Sequence, residues 1–288
     1  MSRRALRCGA LKPIATTPSV VEDGGLNFLV RISSSVSDKA SAAAEQALAA
    51  ASGQSARNPF LPCDPDLFVT GLTRSHAYLL NKFKVIDDHL LIVTTRFEAQ
   101  ERLLNRADFE AMAICLAEID GLGFYNGGVV AGASQPHKHL QLVPLERRGR
   151  RPKRSIALPI AALADAVVDR RPVTLPELPF AHAVIALDPA DFATTRQATS
   201  ALRRGYAALL AAIGIGDAGG GCQSAPYNLL LTRRWMLAVP RRAEAFEGIA
   251  INALGFAGSL FVRDRAQMDI VRRLGPMAIL AQVAGLPR

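Results

Sequence analysis

Two histidines and a glutamine, His137, His139 and Gln141, fall on alternate positions of the stretch Asn126–Leu145, NGGVVAGASQPHKHLQLVPL. Alternation of this kind puts residues two apart on the same face of a strand. It predicts a strand over His137–Val143, ended by Pro144, with two imidazoles and an amide on one face and Leu140 and Leu142 toward the core. Lys138 breaks the polar–apolar pattern, which places it at the start of the strand with its side chain reaching solvent. A neutral imidazole is a good nucleophile near neutral pH, and the hydrogen bond at its other nitrogen sets its reactivity. If His139 attacks phosphorus, His137 can orient and polarise the site. Gln141 can donate to a phosphate oxygen but cannot shuttle a proton at neutral pH. With no third imidazole expected at the site to activate water, the chemistry expected is transfer through a nucleotidyl-histidine and not hydrolysis.

Three blander readings compete. Buried histidines are commonly just hydrogen-bonded core residues. An HxH pair on a strand can also bind zinc, but it needs further ligands, and His76, His89, His182 or Cys63 would have to arrive from afar, with no CxxC or HxxxH spacing to help. A polar surface loop conflicts with the apolar runs on either side.

The elements that must hold these side chains can be read outward from them. Gly127-Gly128 and Gly132-Ala133-Ser134-Gln135-Pro136 let the backbone pass close to a bound group and turn sharply into the strand. Upstream, roughly helical apolar spacing at Phe109, Met112, Ile114, Leu116 and Ile119 predicts a helix over Ala107–Asp120, capped by Asn105 and terminated by Gly121. Before it, Leu67–Gly71, Ala77–Leu80 and His89–Thr95 are short apolar runs that read as an antiparallel meander, with His76 and His89 as structural residues. After the strand come a long helix, Ala190–Ile213, and a hairpin formed by Tyr227–Leu231 and Trp235–Val239 around Thr232-Arg233-Arg234. The glycine cluster Gly214–Gly221 lacks the context of a nucleotide-binding fingerprint and reads as a lead into that hairpin. Strands and helices segregate, so the fold class is α+β, an antiparallel sheet with flanking helices.

The segments NPFLP (Asn58–Pro62), LLNKF (Leu79–Phe83), SQPHKHLQ (Ser134–Gln141) and YNLLLTRRWM (Tyr227–Met236) occur in the order seen in a known family. They resemble the nucleotidyltransferase branch of the histidine triad superfamily, in which the last histidine is glutamine, and within it the diadenosine tetraphosphate phosphorylases (ATP adenylyltransferases). The resemblance runs from about Asn58 to Val262. It implies a histidine-triad-like fold and phosphorolysis of a dinucleoside tetraphosphate to ATP and ADP through an adenylyl group on His139. Asn81 and Lys82 are then expected at the nucleotide, and Asn228 and Arg241 at ribose or phosphate. Ser134 and Gln135, with the loop N–H groups, would hold the polyphosphate, and Asn126 the reacting phosphate. No protein-borne metal site is implied, though a divalent cation such as Mg can arrive with the nucleotide. A sugar-1-phosphate nucleotidyltransferase is the alternative, although it typically shows HPH where this chain has HKH; a non-catalytic nucleotide-binding protein is another.

The rest of the composition is consistent with this and less specific. A chain of 288 residues, half of them apolar, can bury one large core or two small ones. Its net charge of +9 favours polyanionic partners, for which nucleoside polyphosphates and inorganic phosphate are expected here and nucleic acid is not. No aromatic platform or reading helix accompanies the six basic residues of 146–154, which read as an exposed loop. No run of eighteen apolar residues occurs, so neither a membrane span nor a secretory signal is expected. Four cysteines without pairing spacings fit a reducing cytoplasm. Residues 1–57, Ala/Ser-rich from Ser33 onward and including Lys39, are expected to be poorly ordered or peripheral. Residues 58–288 would form the nucleotidyltransferase domain, in two sheet-contributing halves of about 58–150 and 175–288, as a monomer or small homo-oligomer.

Overall fold

The computed structural model describes residues 2–14, 16–33, 58–84, 86, 88–145 and 160–285. The basic run and most of the Ala/Ser-rich segment lie outside them. The strands in chain order are β1 (Thr17–Asp23), β2 (Leu26–Ile32), β3 (Phe68–Gly71), β4 (His76–Leu80), β5 (Leu90–Thr94), β6 (Gly121–Gly127), β7 (His139–Pro144) and β8 (Ala183–Ala186). They continue with β9 (Asp217–Gly219), β10 (Cys222–Gln223), β11 (Tyr227–Leu231), β12 (Trp235–Pro240), β13 (Ala245–Phe246), β14 (Ile249–Ala250) and β15 (Ser259–Val262). Eight of these make one antiparallel sheet in the order β3-β4-β5-β7-β6-β11-β12-β8. This is the α+β architecture the segregated elements imply. The meander β3-β4-β5 and the hairpin β11-β12 both form as their apolar runs suggest.

Both faces of the sheet are covered, which explains why its central strands are buried along nearly their whole length. Residues such as Leu140, Leu142, Tyr125, Leu229 and Leu231 pack against the helices Arg106–Glu118 and Thr195–Ala212. Phe124, Val143, Leu230 and Val239 face a second layer containing β2, β15 and the C-terminal helices Arg265–Leu274 and Pro276–Ala284. The first long helix starts with a reciprocal cap: Asn105 accepts from Ala107 and Asp108, and Asp108 accepts from the Asn105 N–H. Its end differs from expectation. Ile119 is the C-cap, and Gly121 is already the first residue of β6, where a Cβ would meet the side chain of Leu142 at 2.8 Å.

The N-terminal region also departs from its reading as peripheral. β1 and β2 form a hairpin, β2 pairs in parallel with β15, and Phe28 and Val30 enter the core. The hairpin offers little apolar signal: the side chains of 18–23 in β1 are exposed or half-buried, and β2 buries Phe28, Val30 and the charged Arg31. Residues 2–14 pack alongside: Lys12 and Ile14 donate backbone hydrogen bonds to the carbonyls of Lys82 and Lys84.

Candidate active site

His139 begins β7 and is paired with Val93 of β5, so its ring projects from the face shared by Val93 and Leu91. The ring is 3 % exposed and lies against Phe60, with centroids 5.3 Å apart. Its Nδ1 is 2.8 Å from the carbonyl oxygen of His137, so Nδ1 carries the proton and donates it there. Nε2 therefore holds the lone pair. It has no partner among the described residues, and it is not one of the fully enclosed unpaired atoms. Burial pushes the imidazole pKa down to about 4, so the ring is neutral across the physiological range.

His137 has no such freedom. Its Nε2 donates to the Thr94 carbonyl at 2.9 Å, with the Thr94 hydroxyl at 2.8 Å, and its Nδ1 is 2.9 Å from the Asn58 amide nitrogen. Both ring nitrogens are taken, so the expected polarisation of a phosphate by this ring does not fit the geometry. What His137 offers His139 is its main-chain carbonyl.

Lys138 reverses its expectation completely. Its side chain is fully buried on the opposite face of the sheet, with Nζ 2.6 Å from Asp108, 3.1 Å from the Leu103 carbonyl and 3.3 Å from Glu98. His76 contacts the other Asp108 oxygen at 3.0 Å. Burial alone would raise the Asp108 carboxyl, but the His76 hydrogen bond and the Lys138 ammonium hold it below its ordinary value. The alternate-face rule that aims His137 and His139 at one side thus aims Lys138 into an ion pair on the other.

Gln141 shares the His139 face, as expected, between Leu91 of β5 and Phe124 of β6. Its Oε1 is 2.9 Å from His89 Nε2. A third imidazole is therefore present after all, engaged with the glutamine. Asn81 backs this pair: its amide nitrogen lies 3.2 and 3.5 Å from the two His89 ring nitrogens, and its Oδ1 accepts from the Phe83 N–H. Its carboxamide is thus used within the protein. Lys82 is exposed, its ammonium 5.8 Å from the Phe83 ring.

Gln100, unnoticed in the sequence, is wedged where β6 and β7 separate. Fully buried, it accepts from the His139 N–H at 2.9 Å and donates to the carbonyls of Asn126 and His139 at 2.8 and 3.2 Å. The Tyr125 hydroxyl in turn donates to the Gln100 carbonyl.

Asn126, Asn228 and Arg241 do come together, as a buried scaffold. Asn228 Nδ2 donates to Asn126 Oδ1 and to the Ala131 carbonyl, both at 2.8 Å, while the Ala253 N–H donates to Asn126 Oδ1 at 2.9 Å. Arg241 donates to Asn228 Oδ1 at 2.7 Å and to the carbonyls of Ile251, Ala243 and Glu244. The expected ribose or phosphate contacts of Asn228 and Arg241 give way to support of the loop 128–133. That loop depends on Gly132: at φ +86°, a Cβ would sit 2.8 Å from the Ile251 carbonyl oxygen. Ser134 and Gln135 follow it on the approach to His137. Ser134 is exposed, and Gln135 Oε1 is enclosed without a partner. The main-chain N–H groups of Ser134 and Gln135 donate to no carbonyl among the described residues.

A family model for the Ap4A phosphorylase N-terminal domain matches residues 1–166, and one for the ATP adenylyltransferase C-terminal domain matches residues 176–285. The chain belongs to the Ap4A phosphorylase family. It is thus a nucleotidyltransferase by descent. It is 28% identical over 253 residues to the diadenosine tetraphosphate phosphorylase 2 of Saccharomyces cerevisiae, covering 76% of this chain and 72% of the relative. Protein APA1 of the same yeast is 24% identical over 216 residues, covering 66% and 62%. The crystal structure of yeast Ap4A phosphorylase Apa2 superposes with a TM-score of 0.78 at 23% identity, over 99% of this chain and 92% of that one. A second structure of Apa2, in complex with Ap4A, gives 0.74 at 22% identity, over 99% and 94%. The fold is shared over essentially the whole chain, including the strands β1, β2 and β15.

Proposed function

We propose that the chain catalyses phosphorolysis of diadenosine tetraphosphate to ATP and ADP, with His139 as the nucleophile. Family membership supports the reaction class, and one observation carries the residue assignment. His139 is a neutral imidazole whose Nδ1–H is committed to the His137 carbonyl, leaving the Nε2 lone pair unpartnered. In the first step Nε2 bonds to the α-phosphorus of one adenosine and the bond to the bridging oxygen breaks, releasing ATP. In the second, inorganic phosphate attacks the same phosphorus and Nε2 leaves, giving ADP. The positive charge that develops on the ring is shared with Nδ1–H, which already points at a carbonyl oxygen. It also sits beside the negative charge of the adenylyl phosphate, so burial penalises the pair less than a lone imidazolium.

Gln141 is assigned to hydrogen-bond the transferred phosphate, through the amide hydrogens that His89 leaves unused. Ser134, Gln135 and their main-chain N–H groups are assigned to the polyphosphate. Asn126 has its Oδ1 saturated but retains Nδ2 for the reacting phosphate. Lys82 is assigned to the nucleotide from the exposed edge, with Asn81, Asn228 and Arg241 holding the site from behind.

Incubation with substrate labelled at the α-phosphate should tag the wild-type protein, and His139→Ala should abolish the tag; undiminished labelling removes this mechanism. With unlabelled substrate and phosphate, equal ATP and ADP are expected. Two ADP would mean symmetric cleavage, and AMP plus ATP hydrolysis.

A further inference from the structure

In the buried contact between His89 and Gln141, the glutamine is the next residue on the His139 face of β7, and the scheme above gives His89 itself no role. His89 precedes β5 and Gln141 lies on β7, diagonal neighbours on one face of paired strands. A primary amide can present either its oxygen or its NH2 to a neighbour, and the two orientations have opposite consequences at a phosphate. With NH2 toward the substrate, the amide donates to a phosphate oxygen. With the oxygen there, it repels the same negative charge.

We propose that His89 is a positioning residue that selects the productive orientation of the Gln141 amide, by donating its Nε2–H to Oε1 and so turning the NH2 toward the transferred phosphate. This deepens the adenylyl-transfer reading and rests on it. The groups around the ring support the assignment. Nε2 is 2.9 Å from Gln141 Oε1. Asn81 cannot be the acceptor for that proton, because its Oδ1 takes the Phe83 N–H and it shows only NH2 to the ring. Phe124 packs on the ring with centroids 5.7 Å apart and has no acceptor to offer. An amide oxygen can only accept, so the Nε2–Oε1 contact needs the proton on Nε2, and Nδ1 can then accept from the Asn81 NH2 at 3.2 Å. The glutamine in this position is thereby made a one-way donor.

The polarity of the contact can be tested by a near-isosteric pair. His89→Gln can still donate toward Oε1, whereas the carboxylate of His89→Glu can only accept and would turn the amide around. We expect His89→Gln to keep kcat within roughly tenfold of wild type and His89→Glu to lose a further 100-fold or so, the scale of one misdirected transition-state donor. The same two variants in a Gln141→Ala background should differ far less, since the effect acts through that amide. An undiminished difference there would mean that the new charge or a packing defect is responsible, and the proposal falls. If His89→Glu does not fold, the tautomer decides: nitrogen NMR of the wild-type protein should show a proton on His89 Nε2, and an unprotonated Nε2 overturns the assignment. That measurement needs no turnover, so it stands apart from any failure of the labelling experiment on His139.

Discussion

At His139 the burial that keeps the ring neutral also ties stability to pH. The unfolded imidazole titrates near its ordinary value of 6.5, the folded one at about 4. Between those values the unfolded chain binds a proton that the folded chain does not, so stability rises with pH across the window. It is complete above about pH 6.5 and is lost as pH falls through the folded pKa, by about 3 kcal/mol in all. Urea unfolding of wild type and His139→Ala from pH 7 to 4 should show the wild type losing stability more steeply. Adenylylation should depend on the same group with the opposite emphasis: the first half-reaction should not fall for want of neutral His139 until the pH nears 4. A His139 NMR titration midpoint near 6.5 would refute both statements. That the two imidazoles and the amide share a face was legible from their spacing alone. Which imidazole is available was not, because it depends on Asn58 and Thr94, contributed by other segments.

Lys138 belongs to the scale of the element, since it joins the strand bearing the nucleophile to the helix Arg106–Glu118 through Asp108. Removing one partner of a buried ion pair leaves the other charged and unpaired, which costs about 3–5 kcal/mol. Lys138→Met should therefore lower stability by that amount, read by denaturant unfolding, while Lys138→Met combined with Asp108→Asn should lose less than the sum of the two single variants. Equal losses for the pair and the sum would show that the contact contributes nothing. The helix itself was readable, cap included, from residues close in sequence. The ion pair was not: a lysine flanked by His137 and His139 says only that it points away from them, and at the start of the strand it was taken to reach solvent. His89 was missed for a related reason. Its role arises from strand pairing between residues 52 positions apart, which leaves no local signature. Gln100 left even less, as an isolated glutamine in a loop.

Across the whole molecule the two halves meet at β6 and β11, where Asn126 is paired with Asn228. Arg241 ties that seam to what lies around it, reaching Asn228, Ile251 and the carbonyls of Ala243 and Glu244, and stacking 5.4 Å from Phe256. No carboxylate among the described residues lies within ion-pair distance of it, and burial pushes its pKa down to about 10, still charged at neutral pH. A guanidinium solvated by carbonyls and a side-chain amide is a structural cross-brace, and it predicts a particular mutant phenotype. Arg241→Met keeps the stem and loses every donor, stranding several buried acceptors at roughly 1–3 kcal/mol each, partly relieved by relaxation. Unfolding should show a stability loss of at least about 3 kcal/mol. At temperatures where the variant is folded, the KM for diadenosine tetraphosphate should change less than threefold, with the larger effect on kcat through movement of the 128–133 loop. A residue that bound ribose or phosphate directly would give the reverse: stability near wild type and a KM raised by ten- to a hundredfold, the cost of a lost charge-assisted hydrogen bond. The two outcomes separate on one preparation by a melting curve and a substrate titration.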